Sequence, residues 1–317
     1  MFEKISNLIE QYDSVVIFGH HHPDGDCYGS QIGLRELLKK HYPNKKVYAV
    51  GSGLPDMFSL IGEMDKVSEE VIKESLAIIV DANDVSRMED MRITKAKAFC
   101  KIDHHMDLKT FTEGPEVIDD KADSACMLVL DFAKENNFEI TPNIANALFL
   151  GTLTDTNRFQ YSNNYEKLFS SCGYLISKGA NPRNIYKILN MKEEAYLKFA
   201  GYVYSHYQKT NGGTLYLVFD RKALKEVGDR DAIEVANQVG LISNVKGYKI
   251  WVVFVERKDG RLSAEFRSND LDVQAIASSH GGGGHLHAAG MTVAKFDRDF
   301  IKQVLDECDA AIKKGSK

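Results

Sequence analysis

The stretch FGHHHPDGDCYGSQ (18–31) gathers His20, His21, His22, Asp24 and Asp26 around Pro23 and Gly25. Imidazole and carboxylate together suit hard-to-borderline divalent cations, with manganese the first choice. Three later segments carry the same donors. Asp81 closes the run LAIIV and is followed by Asn83 and Arg87; Asp103, His104 and His105 follow AFCKI; Asp155 ends the apolar stretch GTLT. A capped polar loop would account for the first segment alone, and a turn or helix cap for Asp81 alone. Adjacent histidines straight after a strand serve ligation or catalysis more often than packing. Five or six such groups brought to one place are enough to hold two divalent ions. Two ions about 3.5–4 Å apart can share a bridging carboxylate, generate hydroxide at neutral pH and stabilise the oxygens of an in-line attack on phosphorus.

The elements around these segments explain how they would meet. SVVIFG (14–19), KVYAVG (46–51), LAIIVDA (76–82) and AFCKID (98–103) are apolar or β-branched runs of strand length. Between the first two, Leu34, Leu37, Leu38 and Tyr42 recur at helical spacing and Pro43 stops the helix. Gly25 is expected to turn the loop and Gly29-Ser30 to open that helix. The alternation predicts an α/β fold with a mostly parallel, doubly wound sheet, and such sheets collect ligands beyond the carboxyl ends of their strands. All four donor segments would then reach one rim.

Helical patterns dominate from Ser124 to about Thr210, with Thr141-Pro142 reading as an N-cap and first-turn proline. From Gly213 the pattern restarts as a smaller α+β region, in which two strands meet at a hairpin turn, Lys258-Asp259-Gly260. The expected organisation is a catalytic domain over 1–188, a helical linker over 189–212 and a second domain over 213–317, with the active-site cleft between the two domains.

The chain of 317 residues is 44% hydrophobic and 27% charged, and its formal charge of −5 argues against a sequence-independent binder of duplex DNA, which needs a basic face. A short anionic substrate needs only a local basic pocket. Five scattered cysteines without a C-x-x-C pair suggest neither a disulfide framework nor a zinc ribbon. No run approaches the roughly 18 apolar residues of a membrane span, so a cytoplasmic protein with no membrane partner is expected.

HHHPDGDCYGS, DANDVSR, DHH and GTLTDTNRF, in this order, resemble the four motifs of the DHH phosphoesterases, and GGGGHLHAAG (281–290) resembles the glycine-rich signature of their DHHA1 domain. The resemblance spans nearly the whole chain and is similar to the family's nanoRNase branch. It implies two divalent ions, most naturally Mn2+, with His20, Asp24 and Asp81 at one and Asp26, Asp81, His104 and Asp155 at the other. His20 is selected by its place three residues before Pro23. Asp103 would orient the neighbouring histidine, and His105 would face the scissile phosphate as its ligand or as proton donor to the leaving oxygen. Arg87 would clamp phosphate, with a surface salt bridge as its alternative role. Arg267, Gly282, Gly283, Gly284 and His285 would bind the rest of the substrate, the glycines through exposed N–H groups. Two positions depart from the pattern: Asn157 stands where glycine is usual and Ala82 where threonine is usual. Neither is an expected ligand, and asparagine tolerates a left-handed backbone.

The implied activity is hydrolysis of short single-stranded RNA to mononucleotides, extending to 3′-phosphoadenosine 5′-phosphate. The same metals would serve a phosphodiesterase for signalling dinucleotides such as pApA, pGpG or cyclic di-AMP. A processive single-strand exonuclease would need a longer track, and an inorganic pyrophosphatase would lack the glycine-rich signature. Outside catalysis, a nucleotide-binding sensor could keep the fold and bind without turnover. Relatives of this kind often form homodimers.

Overall fold

The computed structural model describes residues 1–105 and 114–315. They form two compact units, Met1–Met191 and Lys192–Lys317.

The first unit runs α1 (Glu3–Glu10), β1 (Ser14–Phe18), α2 (Gly25–His41), β2 (Lys46–Ala49), α3 (Phe58–Ile61), α4 (Glu69–Lys73), β3 (Leu76–Val80), β4 (Ala98–Asp103), β5 (Glu116–Ile118), α5 (Ala125–Glu135), α6 (Pro142–Asp155), α7 (Tyr165–Ser177) and α8 (Pro182–Leu189). Its sheet is parallel throughout, in the order β2-β1-β3-β4-β5. The expected strands are present, and β5 is one more, too short for its apolar pattern to be read.

Both faces of the sheet are covered, which is why the central strands read as unbroken apolar runs. Val15, Ile17, Ile78, Val80 and Ile102 face a large core shared with α1, α2, α5 and α6. Val16, Phe18, Ala77 and Ile79 face a smaller one closed by Val50, Ile72, Met88 and Ile93. The chain reverses direction across the sheet between β1 and β3. That crevice, at the carboxyl ends of the strands, is where such sheets bind ligands.

Helix α2 begins at Gly25, one turn earlier than its apolar spacing indicates. The Asp24 carboxylate accepts from the N–H groups of Asp26 and Cys27, satisfying donors that the first turn leaves open. Asp26 therefore stands on a helix and not in a loop. The Thr141 side chain caps α6, with Pro142 at its first position, as the sequence indicates. Helices α2 and α6 pack at close range: a Cβ on Gly29 would lie 2.5 Å from the Ala147 carbonyl oxygen, and one on Gly151 would lie 2.7 Å from Asp26 Oδ1.

The second unit comprises α9 (Glu194–His206), β6 (Gln208–Lys209), β7 (Thr214–Phe219), α10 (Arg221–Glu226), α11 (Ala232–Asn237), β8 (Ile250–Glu256), β9 (Leu262–Ser268), α12 (Gln274–Ser279), β10 (Gly283–His285), β11 (Ala288–Val293) and α13 (Arg298–Gly315). Its mixed sheet has the order β10-β11-β9-β8-β7-β6, and only β7 and β8 are parallel. One face packs on α12 and α13, the other on α9, α10 and α11. Helix α9, expected as a connector, instead buries Phe199 and Val203 in this unit's core. No helix among the described residues is long and apolar enough to cross a membrane.

Candidate metal centre

Strands β1, β3 and β4 are adjacent, so the residues just past their carboxyl ends converge. His20 follows β1, Asp81 follows β3, and Asp103, His104 and His105 end or follow β4. Asp26 enters from the first turn of α2 and Asp155 from the last residue of α6.

Asp81 is the hub. Its Oδ2 lies 3.4 Å from His20 Nε2, and its Oδ1 lies 3.3 Å from His104 Nε2 and 3.5 Å from His105 Nδ1. The residue adopts φ 55°, a left-handed conformation that costs free energy outside glycine and recurs at functional sites. His104 Nε2 also lies 3.3 Å from Asp155 Oδ2 and 3.8 Å from Asp26 Oδ2. Each imidazole is fixed from behind: His20 Nδ1 donates to the His21 carbonyl and His104 Nδ1 to that of Ala122. That leaves both Nε2 atoms facing the carboxylates, the arrangement in which histidine ligates. Asp26 is anchored by the N–H groups of Ala125 and Cys126 at the start of α5, at 2.6 and 3.0 Å.

Asp24 stands at the edge of this group. Its oxygen is 3.9 Å from His20 Nε2, its side chain is 59% exposed, and one oxygen caps α2. Cys27, which the sequence does not mark as a donor, has its thiol within ligand reach of His20 and Asp81. It points inward because α2 starts early.

Electrostatics favour a cation here. Burial raises Asp26 well above the usual carboxylate range, and the charges of Asp81 and Asp155 push the same way. Burial also lifts Asp155, to about 6; His104 opposes this, while Asp81 and Asp24 add to it. Burial opposes charge on His20 and His104, but contacts with Asp81 and the other carboxylates prevail and carry them up to about 9 and about 10. Asp81, despite its burial, is held low by His104 and His20. Asp81 Oδ1 is buried without a hydrogen-bond donor. The buried carboxylates thus call for positive charge that a divalent ion would supply directly, and the donor set of imidazoles and carboxylates fits such ions.

Beside this cluster, Asp103 Oδ1 accepts from both the backbone N–H and Nδ1 of His105, at 3.1 and 2.9 Å. The neighbouring histidine that Asp103 orients is therefore His105. Arg87 is exposed at the rim, where its carbonyl holds His21 through the backbone N–H and Nδ1, both at 2.7 Å. Its guanidinium forms no ion pair among the described residues. Asn157 does adopt φ 46°, so the turn tolerates the missing glycine. Ala82 is buried against the smaller core.

In the second unit, Arg267 on β9 is bound to Glu265 Oε2 at 2.9 Å and to the Phe266 carbonyl at 2.8 Å. The glycine-rich segment differs from the expected row of open N–H groups. The N–H groups of Gly281 and Gly282 donate to the Ser278 and Ala277 carbonyls, and Gly283–His285 pair with β11 as β10. Gly282 is required by packing, since a Cβ there would lie 2.2 Å from the Gly290 carbonyl oxygen. Gly283 has open space around it. His285 is exposed.

Comparison with known proteins agrees with the geometry. Residues 14–152 match the DHH family, N-terminal domain, and residues 220–314 match the DHHA1 domain. Over 307 residues the chain is 35% identical to the bifunctional oligoribonuclease and PAP phosphatase NrnA of Mycoplasma genitalium, covering 95% of each chain. It is 34% identical to the protein of the same name from Mycoplasma pneumoniae, covering 95% of this chain and 93% of that one. In fold it resembles an exopolyphosphatase-related protein from Bacteroides fragilis, with TM-score 0.85, 22% identity and coverage of 98% and 96%.

Proposed function

This chain belongs to the DHH phosphoesterase family with a DHHA1 domain, and from that premise we propose that it hydrolyses short oligoribonucleotides to mononucleotides with Mn2+ and also dephosphorylates 3′-phosphoadenosine 5′-phosphate. It is a hydrolase of phosphoester bonds; substrate and metal are the proposed part. The observation that carries the reading is the convergence of His20, Asp26, Asp81, His104 and Asp155 on one rim, with Asp81 touching both histidines.

We propose that His20, Asp24 and Asp81 would hold one ion and Asp26, Asp81, His104 and Asp155 the other, Asp81 serving both. Held there, divalent ions would supply hydroxide at neutral pH and neutralise charge on the phosphate. The protein's own groups do the rest. Asp103 holds the His105 ring through Nδ1, so Nε2 is the atom presented to substrate; in the imidazolium form it hands a proton to the leaving oxygen. Arg87, exposed at the rim and without an acidic partner among the described residues, pairs with a phosphate oxygen. Arg267, Gly283, Gly284 and His285 contact the remainder of the substrate, and Gly282 supports them by letting β10 pack on β11.

The proposal is tested by incubating the protein with a three-nucleotide RNA and, separately, with 3′-phosphoadenosine 5′-phosphate, each with Mn2+ and after chelation. Mononucleotides and adenosine 5′-monophosphate, formed only with the metal, are expected. Intact RNA in the metal-loaded reaction overturns the reading.

A further inference from the structure

A cavity of about 400 Å³ adjoins the metal centre, lined by His104, Asp155, Asp123, Gln160, Tyr161 and Tyr165 among others. Its outer wall is the segment that follows α6. There Asn157, Arg158 and Phe159 are consecutively left-handed, with φ 46°, 61° and 67°. Such a run outside glycine persists only when the surroundings enforce it. The Arg158 N–H donates to the Leu153 carbonyl at 2.7 Å, and the Phe159 N–H to Thr156 Oγ1 at 3.1 Å. Beyond the turn, Asp123 accepts from the Ser162 hydroxyl and the Asn163 N–H, and the Tyr165 hydroxyl donates to the Gln160 carbonyl at 2.7 Å. The wall is thus pinned at both ends, yet its Tyr161 side chain, on a residue 64% exposed, is left at the mouth of the cavity.

The charge of the cavity identifies its occupant. Besides His104 and Asp155 at the metal centre, Asp120 and Asp123 line it, and among the described residues no lysine or arginine does, so away from the metal ligands its wall offers acceptors and no cation for a phosphate. A neutral group rich in N–H and O–H donors is accepted, and a flat one stacks on tyrosine. We propose that this cavity is a nucleoside subsite, in which the base of the nucleotide whose phosphate sits at the metal centre stacks on Tyr161 while its hydroxyl or amino groups donate to Asp120 or Asp123. The inference rests on the nucleotide reading above and adds to it the residue that grips the base. Tyr161 is here a specificity-determining residue.

Binding, and not turnover, provides the test. Affinities of adenosine 5′-monophosphate and ribose 5-phosphate are measured by titration calorimetry on the full chain with Mn2+. Base stacking on an aromatic side chain predicts that the nucleotide binds about ten-fold tighter than the base-free sugar phosphate. Tyr161→Ala should remove most of that advantage while leaving ribose 5-phosphate affinity within about two-fold, and Tyr161→Phe and Tyr161→Trp should retain it. A loss shared equally by both ligands, an unchanged preference in Tyr161→Ala, or no preference in the unmodified protein overturns the proposal. An uncleaved RNA with these affinities intact would defeat the functional reading and leave the subsite standing.

Discussion

Asp81 Oδ1 lies 3.3 Å from His104 Nε2, and no hydrogen-bond donor among the described residues satisfies that buried oxygen. Its other oxygen is 3.4 Å from His20. One carboxylate therefore joins the donors delivered by three neighbouring strands, and the consequences of removing it are correspondingly large.

Asp81→Ala should lower RNA turnover on the order of 10³-fold, equivalent to about 4 kcal/mol of lost transition-state stabilisation. Metal content after dialysis against Mn2+ should fall from two ions to one or none. Two ions retained with near-normal turnover would show that Asp81 is not the bridge.

Asp103→Asn leaves the metal donors in place but removes the charge that orients His105. Turnover should fall about 10- to 100-fold, and His105→Ala should cost about 10²- to 10⁴-fold. Metal content should be unchanged in both. A parallel loss of metal would make His105 a ligand instead of a proton donor.

The metal-free protein should become less stable as pH rises from 7 to 10. His20 and His104 carry folded-state pKa values of about 9 and about 10 against an ordinary 6.5. A raised histidine stabilises fully below its unfolded value and loses that contribution as pH climbs through the folded one. Added Mn2+ should raise the unfolding temperature, and by more at pH 8.5 than at pH 6.5, because ligation needs neutral imidazole. Thermal melts at both pH values check the sign; a metal-induced rise that shrinks with pH contradicts it.

Gly29→Ala would place a Cβ 2.5 Å from the Ala147 carbonyl oxygen, a backbone atom that cannot rotate away. It should cost about 1–3 kcal/mol of stability and weaken Mn2+ binding, since α2 carries Asp26 and α6 carries Asp155. Calorimetry on the variant reads both effects.

Much of this was legible in the sequence because parallel strands and their ligands obey local rules. LAIIV and AFCKI announce buried strands, and the donors at Asp81 and at Asp103, His104 and His105 follow at once. What was hidden depends on side chains or neighbours that periodicity does not encode. Asp24 starts α2 early by capping it, which turns Cys27 toward His20. Gly281 and Gly282 spend their N–H groups on the turn after α12, which composition cannot reveal. The tyrosine-walled cavity depends on Asp123 reaching across 39 residues to Ser162, a pairing with no sequence period.

The most direct test is the rate of hydrolysis, with Mn2+, of matched RNAs of two, three, five and twenty-four nucleotides, alongside pApA, pGpG and cyclic di-AMP, with Asp81→Ala as control. The account predicts rates that are highest from two to five nucleotides, fall away at twenty-four and vanish in the control. Equal rates at all lengths, or turnover of one signalling dinucleotide alone, would contradict it.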